Sequence, residues 1–584
     1  MNGRVLVLGD DNRSGLAVVR SLGRAGLEVW LGTETTDSII PLSRYVAGTF
    51  ALPPTASQIE RWVAELRALL ERETFDLVIP TSDMALVPIA SRRAIFEPLA
   101  RIAMPDEAGF ECSYSKERTL ALAQRLGVPI PPTRMLDSPA GLPEIRANPR
   151  FPFPLVLKPI SSKVWGGGKR FDLKVRHAPD APALESLAKR MLAVSPVLVQ
   201  AHVPGMGIGQ EFLVSDGRIV DAFQHERVHE PLAGGGSSYR KSVPLDPRIL
   251  DCSRRLLSDL RWTGVAMVEY RWDPKTGEFA LMEINGRFWG SLPLAIAAGV
   301  DFPHRLYLLL TGRPVPEQAP YLLGIHARNL GKDLGWFRER VRGVSRRSAA
   351  ALVAGEISTA LRRAFAGRER VDTLTLDDPM PGLAELWRGL IAPVQKLARR
   401  AKRRAERSLF VFLASRPFWR RRQKRELRRR IAADPRILFV CRGNICRSPF
   451  AEAYAGMRFA ASGSRAIELR SAGSYPVEGR SSPEEAVLVS RDFGIDLDPH
   501  RSRALSRDLV QWAGAILCMD ERDQRELLAY PEARGKVFYL GVFDSKNGSV
   551  SIADPWSGTT EQFRTCYRAI VASVDGLTET LREG

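Results

Sequence analysis

The stretch Ile437-Leu438-Phe439-Val440-Cys441-Arg442-Gly443-Asn444-Ile445-Cys446-Arg447-Ser448-Pro449-Phe450-Ala451-Glu452-Ala453 decides how the C-terminal part of this chain folds. Its first four residues are an apolar run suited to a buried strand. Pro449 to Ala453 opens a helix, with proline at an early position where its missing N–H costs nothing. A loop from Cys441 to Ser448 lies between them. A loop that joins a strand end to a helix N-terminus turns several backbone N–H groups inward, beside the positive end of the helix dipole. Such a cradle binds a dianionic phosphate. A sulfur anion is stabilised in the same field and beside an arginine, which makes Cys441 the candidate nucleophile. Arg447 can offer a planar fork to two phosphate oxygens. Ser448 can donate its hydroxyl to the sulfur, and Asn444 can brace the loop backbone.

The pattern C-x5-R inside V-C-x-G-N-I-C-R-S-P closely resembles the signature of low-molecular-weight protein tyrosine phosphatases. The resemblance spans about 435–580 and takes in Ser471-Ala472-Gly473, His500-Arg501 and Cys518-Met519-Asp520-Glu521. It implies a flavodoxin-like parallel-sheet domain over 433–584 that needs no cofactor. Its substrate would be a phosphotyrosine protein or a small phosphomonoester. The resemblance also implies an acid on a distant Asp-Pro loop, which Ala553-Asp554-Pro555-Trp556 supplies. Asp554 would protonate the leaving oxygen and then act as base on the water that attacks the Cys441 phosphoenzyme. Trp556 stands where the family carries a pocket-lining aromatic; its plain reading is a surface tryptophan. Cys446 stands where the family often has a thiol that pairs with the oxidised nucleophile, with packing as the alternative. Arsenate reductases share the loop and are the rival. They need further resolving thiols, and no second Cys follows Cys518 within ten residues.

Working outward toward the N-terminus, Gly264 to Trp272 and Glu278 to Asn285 read as two strands around the turn Asp273-Pro274-Lys275-Thr276-Gly277. A register centred near Thr276 sets Glu269 opposite Glu283, with Asn285 on the same face. Val265, Met267, Phe279 and Leu281 are expected on that face too, which would bury it. Opposed carboxylates about 5 Å apart repel, so either one is protonated or a cation lies between them. Three oxygen-bearing side chains suit Mg²⁺, which takes one or two carboxylates plus nucleotide phosphates. Lys158, in the apolar strand from Pro154 to Pro159, needs an anion. Gly166, Gly167 and Gly168 make a Gly-rich flap able to approach phosphates through its backbone. Lys116 precedes a helix ending near Gly127, and Val197 to Gly205, with Gln200 and Val203, reads as a hinge strand against adenine.

In that order these pieces resemble the ATP-grasp superfamily, in particular its carboxylate–amine ligases, over about 1–320. The resemblance implies that ATP phosphates are held by Lys116 and Lys158, and Mg²⁺ by Glu269, Glu283 and Asn285. Arg287 would stabilise an acyl-phosphate as an amine attacks it. The carboxylate and the amine are of unspecified identity. Departures from the family pattern are Ser115 before Lys116, Gly286 before Arg287, and Gln200-Ala201 in the hinge. Arg227 and the loop Gly234 to Ser238 are expected to face the acceptor, or to be an ordinary crossover. An alternative reading makes this half an ATP-binding sensor or scaffold that regulates or localises the phosphatase.

The expected architecture is therefore α/β and α+β multidomain. A Rossmann-like layer over 1–106 opens with VLVLGDDNRSG, whose glycines do not fit G-x-G-x-x-G. A two-lobed ATP-grasp domain follows over 107–320, then a helical basic linker over 321–432. The net charge of +19 does not mark a nucleic-acid protein once mapped. Between Lys396 and Arg430 stand 16 Lys/Arg against Glu406 and Glu426, so most of the excess sits in that segment. Clustered cations around Leu409 to Leu413 suit an anionic membrane surface, against the plainer reading of a solvated linker. Nucleic acid is disfavoured, since no recognised module accompanies the charge. Six scattered cysteines, no signal-like N-terminus and no spanning apolar run point to the cytoplasm, with peripheral membrane contact as an option.

Overall fold

Arg4–Leu8 pairs in parallel with Glu28–Thr33 on one side and Leu77–Pro80 on the other, and Val46–Ala51 closes this first sheet. A computed structural model describes residues 3–582 apart from 11–12, 161–162, 167–168, 173–174, 193–194, 231–235, 390, 392–415, 462–466, 476–477 and 545–548; for 163–166, 169–172 and 346 the backbone alone is described. The chain divides into two compact units, Met1–Ala392 and Pro393–Gly584.

In the first unit the parallel layer is followed by an antiparallel sheet and a larger one that is antiparallel except for its last, parallel pair. The smaller runs Thr133–Leu136, Val197–Ala201, Leu155–Pro159, Arg176–Ala178. The larger has seven strands in the order Phe279–Asn285, Gly264–Trp272, Met206–Ser215, Arg218–His229, Tyr239–Val243, His326–Arg328, Glu369–Val371. One strand of the small sheet presents Lys158 and another Gln200 to a cleft whose opposite wall is the hairpin bearing Glu269 and Glu283. The flap has become a two-stranded hairpin, Lys163–Gly166 with Lys169–Asp172. Gly166 ends its first strand; Gly167 and Gly168 lie outside the described residues.

Glu269 pairs with Glu283 as the turn predicts, but one residue further on the partners become Tyr270 and Leu281. Met282 is therefore a surplus residue, a β-bulge. Below it the alternation inverts. Leu281 and Phe279 turn away from Val265 and Met267 and join Tyr270 and Ile284 under the helix Pro247–Asp259. Val265 and Met267 pack on the other face with Trp289 and Phe223. The expectation that all four apolar residues share the carboxylates' face is corrected by that single residue.

The expected linker 321–432 is divided between the two units. His326–Arg328 and Glu369–Val371 extend the large sheet, and the buried pair Arg20–Asp378, at 2.8 Å, ties the segment to the first layer. At its other end Pro417–Ala433 is a helix that buries Leu427 and Ile431 in the core of the second unit, with Trp419 packed against it. Between them, 392–415 lies outside the described residues. Charge density concealed these apolar and ion-paired anchors.

The second unit is built on four parallel strands in the order Glu468–Gly473, Arg436–Cys441, Ala515–Cys518, Val537–Tyr539. This flavodoxin-like sheet is covered by helices that include Arg447–Ala461 and Thr560–Arg582, whose Phe450 and Tyr567 rings stack at 3.9 Å. Among the described residues no helix is long and apolar enough to cross a membrane.

Candidate active sites

Cys441 is the last residue of a central parallel strand, at the carboxyl edge of the sheet where ligands of open α/β folds bind. The helix that follows starts at Arg447, two residues before the sequence suggests. Asn444 N donates to Cys441 Sγ at 3.3 Å, and Ser448 Oγ lies 3.1 Å from the same sulfur. Asn444 adopts φ +50°, in the left-handed region that Asn tolerates better than most residues. Its side chain explains why it stays there. Nδ2 donates to Ser448 Oγ at 3.0 Å and to Ser471 Oγ at 2.8 Å, while Oδ1 accepts from Arg503 N at 2.7 Å. His500 Nε2 lies 2.8 Å from Asn444 O. The loop is thus braced from three sides.

Arg447 is buried, with its fork spread between carboxylates. Nη1 donates to Asp520 Oδ2 at 2.8 Å and to Ile552 O at 3.0 Å; Nη2 lies 2.9 Å from Asp554 Oδ2. Burial opposes its charge, but the Cys441 sulfur, Asp554 and Asp523 outweigh that and hold the guanidinium protonated well above the usual arginine range. Asp523 stands 4.0 Å from Nη1 with no exposed surface. Its Oδ1 finds no hydrogen-bond partner, and burial pushes its carboxyl up to about 7 against the pull of Arg447. Burial also raises the Cys446 thiol, with the neighbouring Cys441 adding to it.

These groups open into a pocket of about 240 Å³ flanked by Tyr475 and Trp556. Trp556 is 55 % exposed and lines the mouth, so its two sequence readings coincide. Arg480 Nη2 donates to Gly443 O at 2.8 Å. Cys441, Arg447, Asp554, Ser448 and Asn444 come together as expected. Asp520, Asp523 and Arg480 were missed as site residues; the run Cys518-Met519-Asp520-Glu521 was noticed, but nothing in it announced a partner for Arg447.

In the first unit a cleft of about 670 Å³ collects Lys116, Lys158, Gln200, Val203, Glu269, Glu283, Asn285 and Arg287. Asn285 Nδ2 lies 3.4 Å from Glu269 Oε1 and 3.4 Å from Glu283 Oε1. Glu283 pairs with Lys116 at 3.3 Å, and Glu269 with Arg227. Burial alone would raise the Glu283 carboxyl, but Lys116 and then Lys158 hold it down at about 2. Two carboxylates and an amide that can present its carbonyl form an all-oxygen donor set, which fits Mg²⁺. Burial lowers Lys158 to about 8, and its Nζ lies 3.7 Å from Met282 Sδ. Gln200 is turned to Thr133, donating from Nε2 at 2.9 Å. Arg287 Nε donates to Asp83 Oδ1 at 2.6 Å, which ties it to the first layer. Gly236 and Ser237 also line the cleft; 234–235 lie outside the described residues. Arg13, Arg240, Arg271 and Lys332 line it too; no motif in the sequence marks them.

Residues 436–584 match the family described as low molecular weight phosphotyrosine protein phosphatase. Residues 194–332 match the family described as ATP-grasp in the biosynthetic pathway with Ter operon. A protein-arginine-phosphatase of Geobacillus stearothermophilus is 34% identical over 148 residues, covering 25% of this chain and 96% of that protein. The low molecular weight protein-tyrosine-phosphatase Ptp of Acinetobacter johnsonii is 37% identical over 121 residues, 20% of this chain and 79% of that one. An L-amino acid ligase structure from Bacillus licheniformis aligns over 53% of this chain and 74% of its own at 17% identity, with a TM-score of 0.42. One polypeptide thus joins a phosphatase-family domain to a segment, residues 194–332, that matches an ATP-grasp family. Through residues 436–584 the chain belongs to the low molecular weight phosphotyrosine protein phosphatase family.

Proposed function

We propose that Cys441, Arg447 and Asp554 hydrolyse an aryl phosphomonoester, phosphotyrosine in a protein being the substrate class. The Cys441 sulfur attacks phosphorus while the Arg447 fork and the loop amides take up the oxygens. Asp554 gives its proton to the leaving phenolate oxygen. The resulting carboxylate then accepts a proton from the water that attacks phosphorus, so that an O–P bond forms as the S–P bond breaks, which returns the thiolate and releases inorganic phosphate. The observation that carries this reading is the guanidinium of Arg447, 2.9 Å from Asp554, beside a loop whose amide and hydroxyl already reach the sulfur. Tyr475 and Trp556 at the mouth favour an aromatic leaving group. The likeness to a protein-arginine-phosphatase supports a second substrate, phosphoarginine in proteins. Hydrolysis of p-nitrophenyl phosphate by the full chain beside Cys441→Ser tests the chemistry, and paired phosphotyrosine and phosphoarginine peptides test the substrate. No turnover by the unmutated chain rejects the reading.

For the first unit we propose ATP-dependent activation of a carboxylate for attack by an amine. Lys116 and Lys158 would meet phosphates, and Glu269, Glu283 and Asn285 would hold Mg²⁺. Bound MgATP supplies the phosphoryl group that activates the carboxylate. Gln200 and Val203 would line the nucleoside side, and Gly166, Gly167 and Gly168 would meet phosphates through their backbone. Arg287 would reach the activated carboxylate after leaving Asp83. ADP release that requires both a carboxylate and an amine supports the ligase, whereas ATP binding without turnover supports the sensor reading.

A further inference from the structure

The helix Pro417–Ala433 carries two faces of opposite use. Leu427 and Ile431 point into the core of the second unit. On the same side Arg420 Nη1 donates to Asp544 O at 2.8 Å, and on the flank Arg428 Nε donates to Thr580 O at 2.9 Å, so the helix is pinned. At 100° per residue, Phe418, Arg421, Arg422, Arg425 and Arg429 fall within an arc of about 100° centred opposite Leu427. All five are exposed, Phe418 by 66 % and the Arg429 side chain by 75 %. Among the described residues the acid beside this face is Glu426, 2.8 Å from Arg429. The docking contacts thus fix a convex stripe of four guanidinium groups, headed by a bare phenyl ring, about 17 Å long.

We propose that this stripe is a binding surface for an anionic lipid bilayer, which seats the phosphatase domain on a membrane. The charges are not gathered around a concavity, as they would be for a small anion, but laid along a line that a flat surface can meet. Phe418 adds an apolar group at the level of the arginines, which a headgroup–acyl boundary uses and a phosphate backbone does not. Guanidinium groups near an anionic leaflet each contribute about fivefold in partitioning. The proposal does not rest on either catalytic reading.

Cosedimentation of the full chain with vesicles tests it. Phosphatidylcholine vesicles that contain phosphatidylserine should bind the protein at low salt and release it at high salt, while pure phosphatidylcholine should not bind. Replacing Arg421, Arg422, Arg425 and Arg429 by Gln should weaken binding by more than about a hundredfold. Phe418→Ser should weaken it at every salt concentration. Both variants should keep the melting temperature and p-nitrophenyl phosphate hydrolysis of the parent. Three results overturn the proposal: unchanged vesicle binding by the Gln variant, loss of binding only when 396–415 is deleted, or tighter binding to single-stranded RNA with no effect of Phe418→Ser.

Discussion

Arg447 Nη2 lies 2.9 Å from Asp554 Oδ2, so the fork proposed to take phosphate oxygens is partly engaged by the acid proposed to serve the leaving group. A dianion entering the loop must therefore displace this contact. Substrate arrival and release of Asp554 from the guanidinium are one event in this geometry. Asp554→Asn should lower kcat on p-nitrophenyl phosphate by roughly 10² to 10⁴, with KM nearly unchanged. Inhibition by inorganic vanadate should become tighter, because the asparagine competes less for the guanidinium. Equal losses in kcat and vanadate affinity would instead mean that the loop had collapsed.

Asn444 combines a left-handed backbone with three side-chain hydrogen bonds. Asn444→Gly relieves the backbone but loses the braces, whereas Asn444→Ala loses both. The alanine variant should be less stable than the glycine variant by about 1 to 2 kcal/mol. Both should lose turnover to a similar degree. Denaturant unfolding beside p-nitrophenyl phosphate kinetics separates the two effects.

Asp523 keeps its proton to about pH 7 in the folded protein, against an ordinary value of 3.8. Between those values the unfolded chain has released a proton that the folded one still holds, so stability falls as pH rises through that window. The cost at its upper end is on the order of 4 kcal/mol. Asp523→Asn should leave stability unchanged near pH 4 and raise the melting temperature at pH 8. A variant that follows the parent at both pH values would show that the buried carboxyl is ionised throughout.

Lys158 is lowered to about 8 by burial, so at pH 8 its amine is substantially neutral and nucleophilic. Amine-directed acylation at limiting reagent should label it ahead of the solvent-exposed lysines. MgATP should protect it if the cleft takes nucleotide as proposed. Peptide mass mapping reads both outcomes, and labelling unaffected by MgATP would move the phosphate site elsewhere.

Leu427 lies in a segment whose composition suggests a solvated linker, yet it is fully buried. Leu427→Ala should destabilise the second unit by about 2 to 5 kcal/mol, as read by thermal unfolding of the phosphatase activity. A free linker would show no such loss.

Much of the architecture was legible because its signals are local. Val440-Cys441 to Ser448 places an apolar strand, a loop and a helix start in one run, and the structure sets the sulfur, amide and hydroxyl accordingly. Glu269 and Glu283 met as the turn required. What escaped were relationships made only by folding. Asp520 and Asp523 reach Arg447 from another strand's end; Met282 inverts a ladder through one surplus residue; and Leu427 is an apolar anchor outnumbered by arginines. A sequence window averages such residues away, while a packed interior gives them decisive places.

That surplus residue separates two properties that would otherwise be locked together. Because Met282 and Glu283 are consecutive and both line the cleft, loss of the single codon for Met282 would restore regular alternation and leave both acids where they are. Only the thioether resting on the Lys158 ammonium would go. Evolution can therefore remove that contact to the lysine without disturbing the carboxylate pair one residue away.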